Sequence, residues 1–301
     1  MIAAEQVALS LAAMSALTFG TAKVLDKKGL MGTNSLVGVL YTLVVGPPIL
    51  LLVSLITGEL FFPYNYNMLT VSEAAVAGIF AYALGTILLF ASIQIVGAGR
   101  AAVMTSSQVI FAPALSILVL GETTCTELII GTAFIFTGLT LVALSTPRAA
   151  DNVIDTKKFR RGYAIGILSG FFWGASQLFT RTAVVNLGSP TIVSLISYIF
   201  AIFGMAVLLL FSSARKKTRI GNASRIFLSG SGVFRVVAAL SRASALSLAA
   251  VVLVIPIISI SPLITLLLSY LLIQRFELIN RRVVIGATFV VMGAIIIALY
   301  A

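Results

Sequence analysis

Apolar and polar positions fall along the chain in long blocks. About ten blocks are almost wholly apolar: residues 4–24, 35–57, 72–95, 101–120, 127–145, 163–182, 190–211, 226–246, 249–273 and 283–300. Their lengths are close to the roughly 17–25 residues that an α-helix needs to cross a hydrocarbon core. In lipid the backbone must satisfy its own N–H and C=O groups, so long apolar runs predict helices. The connections are short except for 146–162 and 212–225, which leaves no room for a soluble domain. The predicted fold class is an all-α polytopic membrane protein.

One block recurs. LIIGTAFIFTGLTLVAL, Leu128 to Leu144, returns as VVIGATFVVMGAIIIAL, Val283 to Leu299. Gly131 matches Gly286, Phe134 matches Phe289, Gly138 matches Gly293, and Glu122 and Glu277 each stand nine positions before the first glycine. Any two membrane helices look somewhat alike, but this shared order at an offset of about 155 residues is the mark of a duplicated unit. The glycines are seven apart and share a helix face, where a neighbouring backbone can approach closely. The openings of the halves also correspond: Phe19-Gly20 with Trp173-Gly174, Lys23 with Gln177, Lys27 with Arg181, and GTNS at 32–35 with GSPT at 188–191. Each half has five spans. Five is odd, so the second half enters from the opposite face, giving two inverted-topology five-helix repeats with a substrate site expected near the midplane between them. The expected division is 1–147 for the first repeat, 148–162 for the loop and 163–301 for the second repeat.

Composition supports lipid as the solvent. The chain is 60% hydrophobic and 10% charged, against about a quarter charged in soluble proteins. It has no histidine, which excludes imidazole relays and histidine metal sites, and its single cysteine, Cys125, reads as an apolar filler. No basic region precedes the first apolar block, so that block is expected to act as the insertion signal rather than as a cleaved leader. A net charge of +11 is explained by loop lysines and arginines that set orientation rather than by nucleic acid.

An aromatic-Gly pair in the first helix of each half, a Gly-Glu step such as Gly121-Glu122 after the fourth, and a glycine-rich fifth helix resemble the EamA-type family of the drug/metabolite transporter superfamily. The resemblance covers nearly the whole chain. It implies a central cavity lined mainly by helices 1, 3, 4, 6, 8 and 9, with helices 5 and 10 at the back. There are departures: Phe276-Glu277 replaces a Gly-Glu step, Pro113 and Pro262 do not align at the common offset, and helix 2 has Tyr41 near where an arginine is often found. The resemblance therefore carries the fold and not the substrate. Orientation divides the two lines of reasoning. The loops bearing Lys27, Lys28, Lys157, Lys158, Arg160, Arg161, Arg281 and Arg282 share one side, so the charge rule puts both termini outside, whereas the resemblance puts them inside.

Arg235 and Arg242 are the leading site candidates. They are seven apart on the eighth span, so they share a face, and Arg235 falls near mid-span. A central arginine costs about 2.5–3.5 kcal/mol on insertion scales, and intramembrane charges usually serve function. No Asp or Glu lies near the middle of any of the ten blocks, so no protein counter-ion is expected, and a wet cationic cavity awaiting an anionic group accounts for the imbalance. Snorkelling, or a helix that starts later, is the competing reading. Thr105 and Gln108 on helix 4, Trp173 and Gln177 on helix 6, Tyr82 on helix 3 and Lys23 on helix 1 complete a candidate substrate-binding set. The bland alternative is that Gln and Thr bond helices together. Pro113, Pro256 and Pro262 interrupt helices 4 and 9, which suits either alternating access or packing. Pro47-Pro48 bends helix 2.

Glu122 and Glu277 read as capping residues, and Glu5, Glu73 and Glu127 fall at span ends. No phosphate loop, metal-ligand run or nucleophile elbow is present, so no cofactor, metal or catalytic residue is expected and the chain is not read as an enzyme. The expected function is secondary transport of a small organic metabolite, anionic or zwitterionic, by alternating access in the cell (plasma) membrane. The alternatives are a broad exporter of hydrophobic or cationic compounds and, from another class, a membrane-embedded enzyme or partner subunit. Expected partners are the small-molecule substrate and the lipid bilayer, with a homodimer open and no nucleic acid.

Overall fold

Helix boundaries fall where side chains or glycines take over the orphaned backbone groups of helix ends. Asn34 accepts from the Leu36 N–H at 2.9 Å, Asn67 from Leu69 at 3.3 Å, and Ser189 from Ile192 at 3.1 Å, each starting a helix. Gly121 and Gly188 end helices at φ 66° and 77°, the left-handed conformation that glycine adopts without a Cβ clash. The computed structural model describes residues 2–30, 33–64, 66–96, 101, 104–145, 156–210, 221–273 and 281–299.

In the first half, α1 is Ile2–Gly29 and α2 is two segments, Ser35–Val44 and Gly46–Ile56. Next, α3 runs through Met68–Gly78, a π-helical stretch Ile79–Gly85, and Thr86–Val96. The half closes with α4, Gln108–Leu120, and α5, Thr126–Ser145. In the second half, α6 is Thr156–Leu187, α7 Pro190–Leu210 and α8 Asn222–Leu248. Then α9 is Val251–Ile258 followed by Ser261–Ile273, and α10 is Arg281–Leu299. Among the described residues there is no strand. Five of these helices are long and apolar enough to cross a bilayer, and α4, α5, α9 and α10 supply shorter apolar runs. The outward side chains are apolar, Leu52, Phe203, Leu118 and Ile226 among them, which suits hydrocarbon contact.

The packing obeys an internal two-fold. α1 packs along α8 as α6 packs along α3; α1 meets α9 as α6 meets α4; α2 meets α8 as α7 meets α3. Three further pairs, α2 with α7, α4 with α9 and α5 with α10, join equivalent helices across the axis. The repeated glycine helices are thus partners of each other. A Cβ on Gly138 would stand 2.4 Å from the Gly286 carbonyl oxygen, and one on Gly293 would stand 2.5 Å from that of Gly131. Phe134 and Phe289 stack between these contacts at 5.3 Å. Each glycine meets the counterpart of the other, as an antiparallel pair of equivalent helices requires. The two five-helix repeats are inverted relative to each other.

Several boundaries differ from the apolar blocks. α1 continues past residue 24 to Gly29, carrying Asp26 inside the bundle. α6 begins at Thr156, so the end of the stretch expected as an inter-repeat loop is helical. Both extensions are built from Asp, Lys and Arg, which hydropathy reads as loop but which helices accept when the side chains find partners or reach an interface. Near α4 the chain turns at Ser106-Ser107, before rather than at Pro113. α9 breaks at Ser259-Ile260, between Pro256 and Pro262. Val45 divides α2, with Pro47 and Pro48 in the first turn of its second segment, where a missing N–H goes unneeded.

On the face formed by the α2–α3, α4–α5, α6–α7 and α8–α9 connections, carboxylates of the first repeat bond to the second. Glu59 accepts from Ser189 and Thr191, and Glu73 from Asn186 at 3.3 Å. Glu122 accepts the Val251 and Val252 N–H groups at 3.0 and 3.2 Å. Glu122 is therefore a cap, as expected, but on a helix of the opposite half. Glu277 lies outside the described residues.

Candidate functional site

α1 and α8 place a row of polar groups against each other at mid-bundle. Ser15, Phe19, Lys23 and Asp26 recur at helical spacing on α1; Ser231, Arg235 and Arg242 do so on α8. Small residues, Ala12, Ala16 and Ala22 on α1 with Ala238 and Ala239 on α8, let the helices approach. The Ser15 hydroxyl donates to the Ala238 carbonyl at 2.9 Å across this contact.

The counter-ion that hydropathy did not reveal is Asp26. Its Oδ2 receives Arg235 Nη2 at 2.5 Å, and its Oδ1 receives the Ser231 hydroxyl. Asp26 is wholly buried, so this is an ion pair within the bundle and not a surface contact. The Arg235 guanidinium also lies over the Phe19 and Phe90 rings, 5.3 and 5.4 Å from their centroids. The expectation of an unpaired Arg235 is thus corrected. The apolar block stopped short of Asp26, and only the docking of α1 on α8 brings it to Arg235.

Arg242 is differently placed. Its Nη2 donates to the Tyr82 hydroxyl at 2.7 Å, and the guanidinium sits 5.5 Å from the ring centroids of Tyr82 and Trp173. Among the described residues no carboxylate forms an ion pair with it. Tyr82 reaches it from the π-helical stretch of α3, where the Thr86 hydroxyl bonds back five residues to Ala81 at 3.0 Å. Such wide turns commonly re-aim a side chain at functional sites. Trp173 meets Phe19 and Tyr82 edge-on, at 5.1 and 5.9 Å. Gly170 and Gly174 of α6 have no room for a Cβ against Ser107 and Phe111, and this close approach sets Gln108 beside Trp173 and Gln177.

Ser15, Phe19, Tyr82, Gln108, Trp173, Gln177, Arg235 and Arg242 line one central cavity. It measures about 20 Å³, room for a water molecule and not for a metabolite. Of nine buried polar atoms without a partner among the described residues, six are on this wall. They are four donor nitrogens (Trp173 Nε1, Arg235 Nε, Arg242 Nε and Nη1) and two acceptors, Gln108 Oε1 and Gln177 Oε1. Buried polar groups are ordinarily satisfied, so this concentration marks a place built to receive polar atoms.

Six of the sequence candidates are brought together here. The other two are not on the wall. Thr105 lies 3.5 Å from the Ser169 hydroxyl, which donates to the Gly85 carbonyl, so it belongs to a hydrogen-bonded contact among α6, α3 and the segment just before α4. Lys23 turns away to donate to Ser261 of α9 at 3.1 Å, with its ammonium 4.9 Å from the Phe19 centroid. Ser15 and Asp26 were not singled out by sequence, and Phe19 stood out there as half of an aromatic-Gly pair rather than as a site residue. For Asp26 the signal available was its register, three and seven residues after Lys23 and Phe19 on one face.

Two inverted five-helix repeats closing on a buried polar cavity define a class: membrane carriers with a site between structural repeats. Residues 6–144 and 160–299 both match the EamA-like transporter family. The chain belongs to that family, a membrane transporter family of the drug/metabolite transporter superfamily, and is a multi-pass membrane protein. A solved structure described only as "Crystal structure of protein" shares the fold with a TM-score of 0.74 over 97% of this chain and 96% of that one, at 14% identity. No curated protein matches the chain.

Proposed function

We propose that the protein is a secondary transporter of the plasma membrane that moves a small organic metabolite bearing an anionic group, alone or as part of a zwitterion, by alternating access. Arg242 carries this reading. It is a buried guanidinium on the cavity wall with no carboxylate partner among the described residues, and two of its nitrogens are unsatisfied. Guanidinium donates paired, charge-assisted hydrogen bonds to carboxylate or phosphate oxygens. The excess of unsatisfied donors over acceptors on the wall favours a ligand rich in acceptors. The two glutamine oxygens leave a place for an ammonium or hydroxyl. The ring faces of Trp173 and Tyr82 suit its apolar body.

Alternating access is supported by the inverted repeats, by the broken α9 and the turn before α4, and by a cavity too small for a metabolite until helices part. A cation exporter would use a buried carboxylate. Asp26 is one, but Ser231 and Arg235 engage both its oxygens.

Counterflow in proteoliposomes tests the reading. Wild-type protein is expected to exchange a radiolabelled organic anion without altering it, and R242Q is expected to lose that exchange at wild-type expression. Equal kinetics in R242Q, or chemical conversion of the tracer, overturns the proposal.

A further inference from the structure

We propose that Asp26 sets how many negative charges the transported molecule carries, by cancelling one of the two guanidinium groups on the cavity wall. The proposal rests on the anion reading above and deepens it. Arg235 and Arg242 stand seven residues apart on one face of α8, about 10 Å along its axis. Both line the cavity, yet their electrostatic states differ. Arg235 is committed to Asp26 at 2.5 Å, and Asp26 is wholly buried with its second oxygen held by Ser231, also wholly buried. Among the described residues Arg242 has the Tyr82 hydroxyl and the Tyr82 and Trp173 ring faces, and no carboxylate. Lys23, three residues before Asp26, points off the wall to Ser261. The wall therefore offers a ligand one uncompensated guanidinium.

In a buried site the energy of a charge pair is large, while a second charge without a partner is costly to bury. A ligand with one negative group satisfies Arg242 and brings no excess. A dianion brings a second charge that must compete with Asp26 for Arg235. Asp26 thus excludes dicarboxylates and phosphate monoesters while touching no substrate, acting through Arg235 as a positioning residue.

The chain's single tryptophan, Trp173, is buried on the cavity wall, so its fluorescence reports ligand entry directly. Full-length protein in nanodiscs is titrated with butyrate, succinate, γ-aminobutyrate and butylammonium. Wild type is expected to favour butyrate over succinate. In D26N, with both guanidiniums free, the succinate-to-butyrate affinity ratio is expected to rise by about tenfold or more. The D26N/R235Q variant removes both members of the pair, and whatever it costs in overall affinity, its succinate-to-butyrate ratio is expected to fall back to within about twofold of wild type. It decides the matter on its own should D26N fail to fold. A ratio in D26N within about twofold of wild type, or a double variant whose ratio stays raised about tenfold, overturns the proposal. Wild type that responds to no anion overturns the anion reading beneath it, an outcome visible before any variant is made.

Discussion

At the scale of single residues, the site is a contest over where guanidinium hydrogens go. Arg235 gives its charge to Asp26; Arg242 has a phenol and two ring faces. The Tyr82 hydroxyl is the group that fixes Arg242, and hydrogen bonds to charged groups are worth about 1.5–3 kcal/mol. Y82F keeps the ring and removes that acceptor. It is expected to weaken anion binding by about tenfold in a Trp173 titration, with expression unchanged. R242K is not expected to restore R242Q, because an ammonium cannot hold Tyr82 and present parallel N–H groups at once. Wild-type affinity in Y82F would show that the hydroxyl plays no orienting part.

Much of this wall was legible without coordinates. Arginine, glutamine, tyrosine and tryptophan stand out in apolar blocks, since lipid makes polar groups costly. What stayed hidden was Asp26. An acid followed by Lys27 and Lys28 after an apolar run reads as the start of a loop. Only a partner at sequence distance 209 makes it part of the bundle interior. Thr105 and Lys23 were equally visible by composition. Hydropathy, however, carries no information on which way a polar side chain turns within a bundle.

At the scale of elements, small residues decide which helices touch. The α5–α10 pair packs backbone to backbone through four glycines. A Cβ on Gly138 meets the Gly286 carbonyl oxygen at 2.4 Å, and main chain cannot swing aside as a side-chain tip can. G138A is therefore expected to lower the melting temperature of detergent-purified protein by several degrees, the response to a loss of about 1–3 kcal/mol from overpacking. A melting temperature equal to wild type would mean that the pair separates freely. The glycine motif and its repetition were plain in the chain. That the two copies pair with each other was not, because small faces state that some backbone comes close but not whose. The π-helical turn that carries Tyr82 left no such mark in the chain.

At the scale of the molecule, one face of the cleft is closed by carboxylates of the first repeat against donors of the second: Glu59 on Ser189 and Thr191, Glu73 on Asn186, and Glu122 on the start of α9. A transporter working by alternating access must release these contacts once per cycle. With Cys125, the chain's one cysteine, replaced by serine, E59C/S189C joined by a short bis-methanethiosulfonate cross-linker is expected to stop counterflow, and reduction is expected to restore it. Continued exchange through the cross-linked protein would show that this face need not open.

The order of apolar blocks and the glycine repeat were enough to determine the number of helices, their division into halves and the inversion of one half on the other. Lipid permits so few backbone arrangements that pattern and parity settle them. Tertiary structure alone decided which charges are paired, which polar groups share one cavity, and which face is shut. These depend on how ten cylinders are rotated and docked, and residues hundreds of positions apart meet only once that rotation is set.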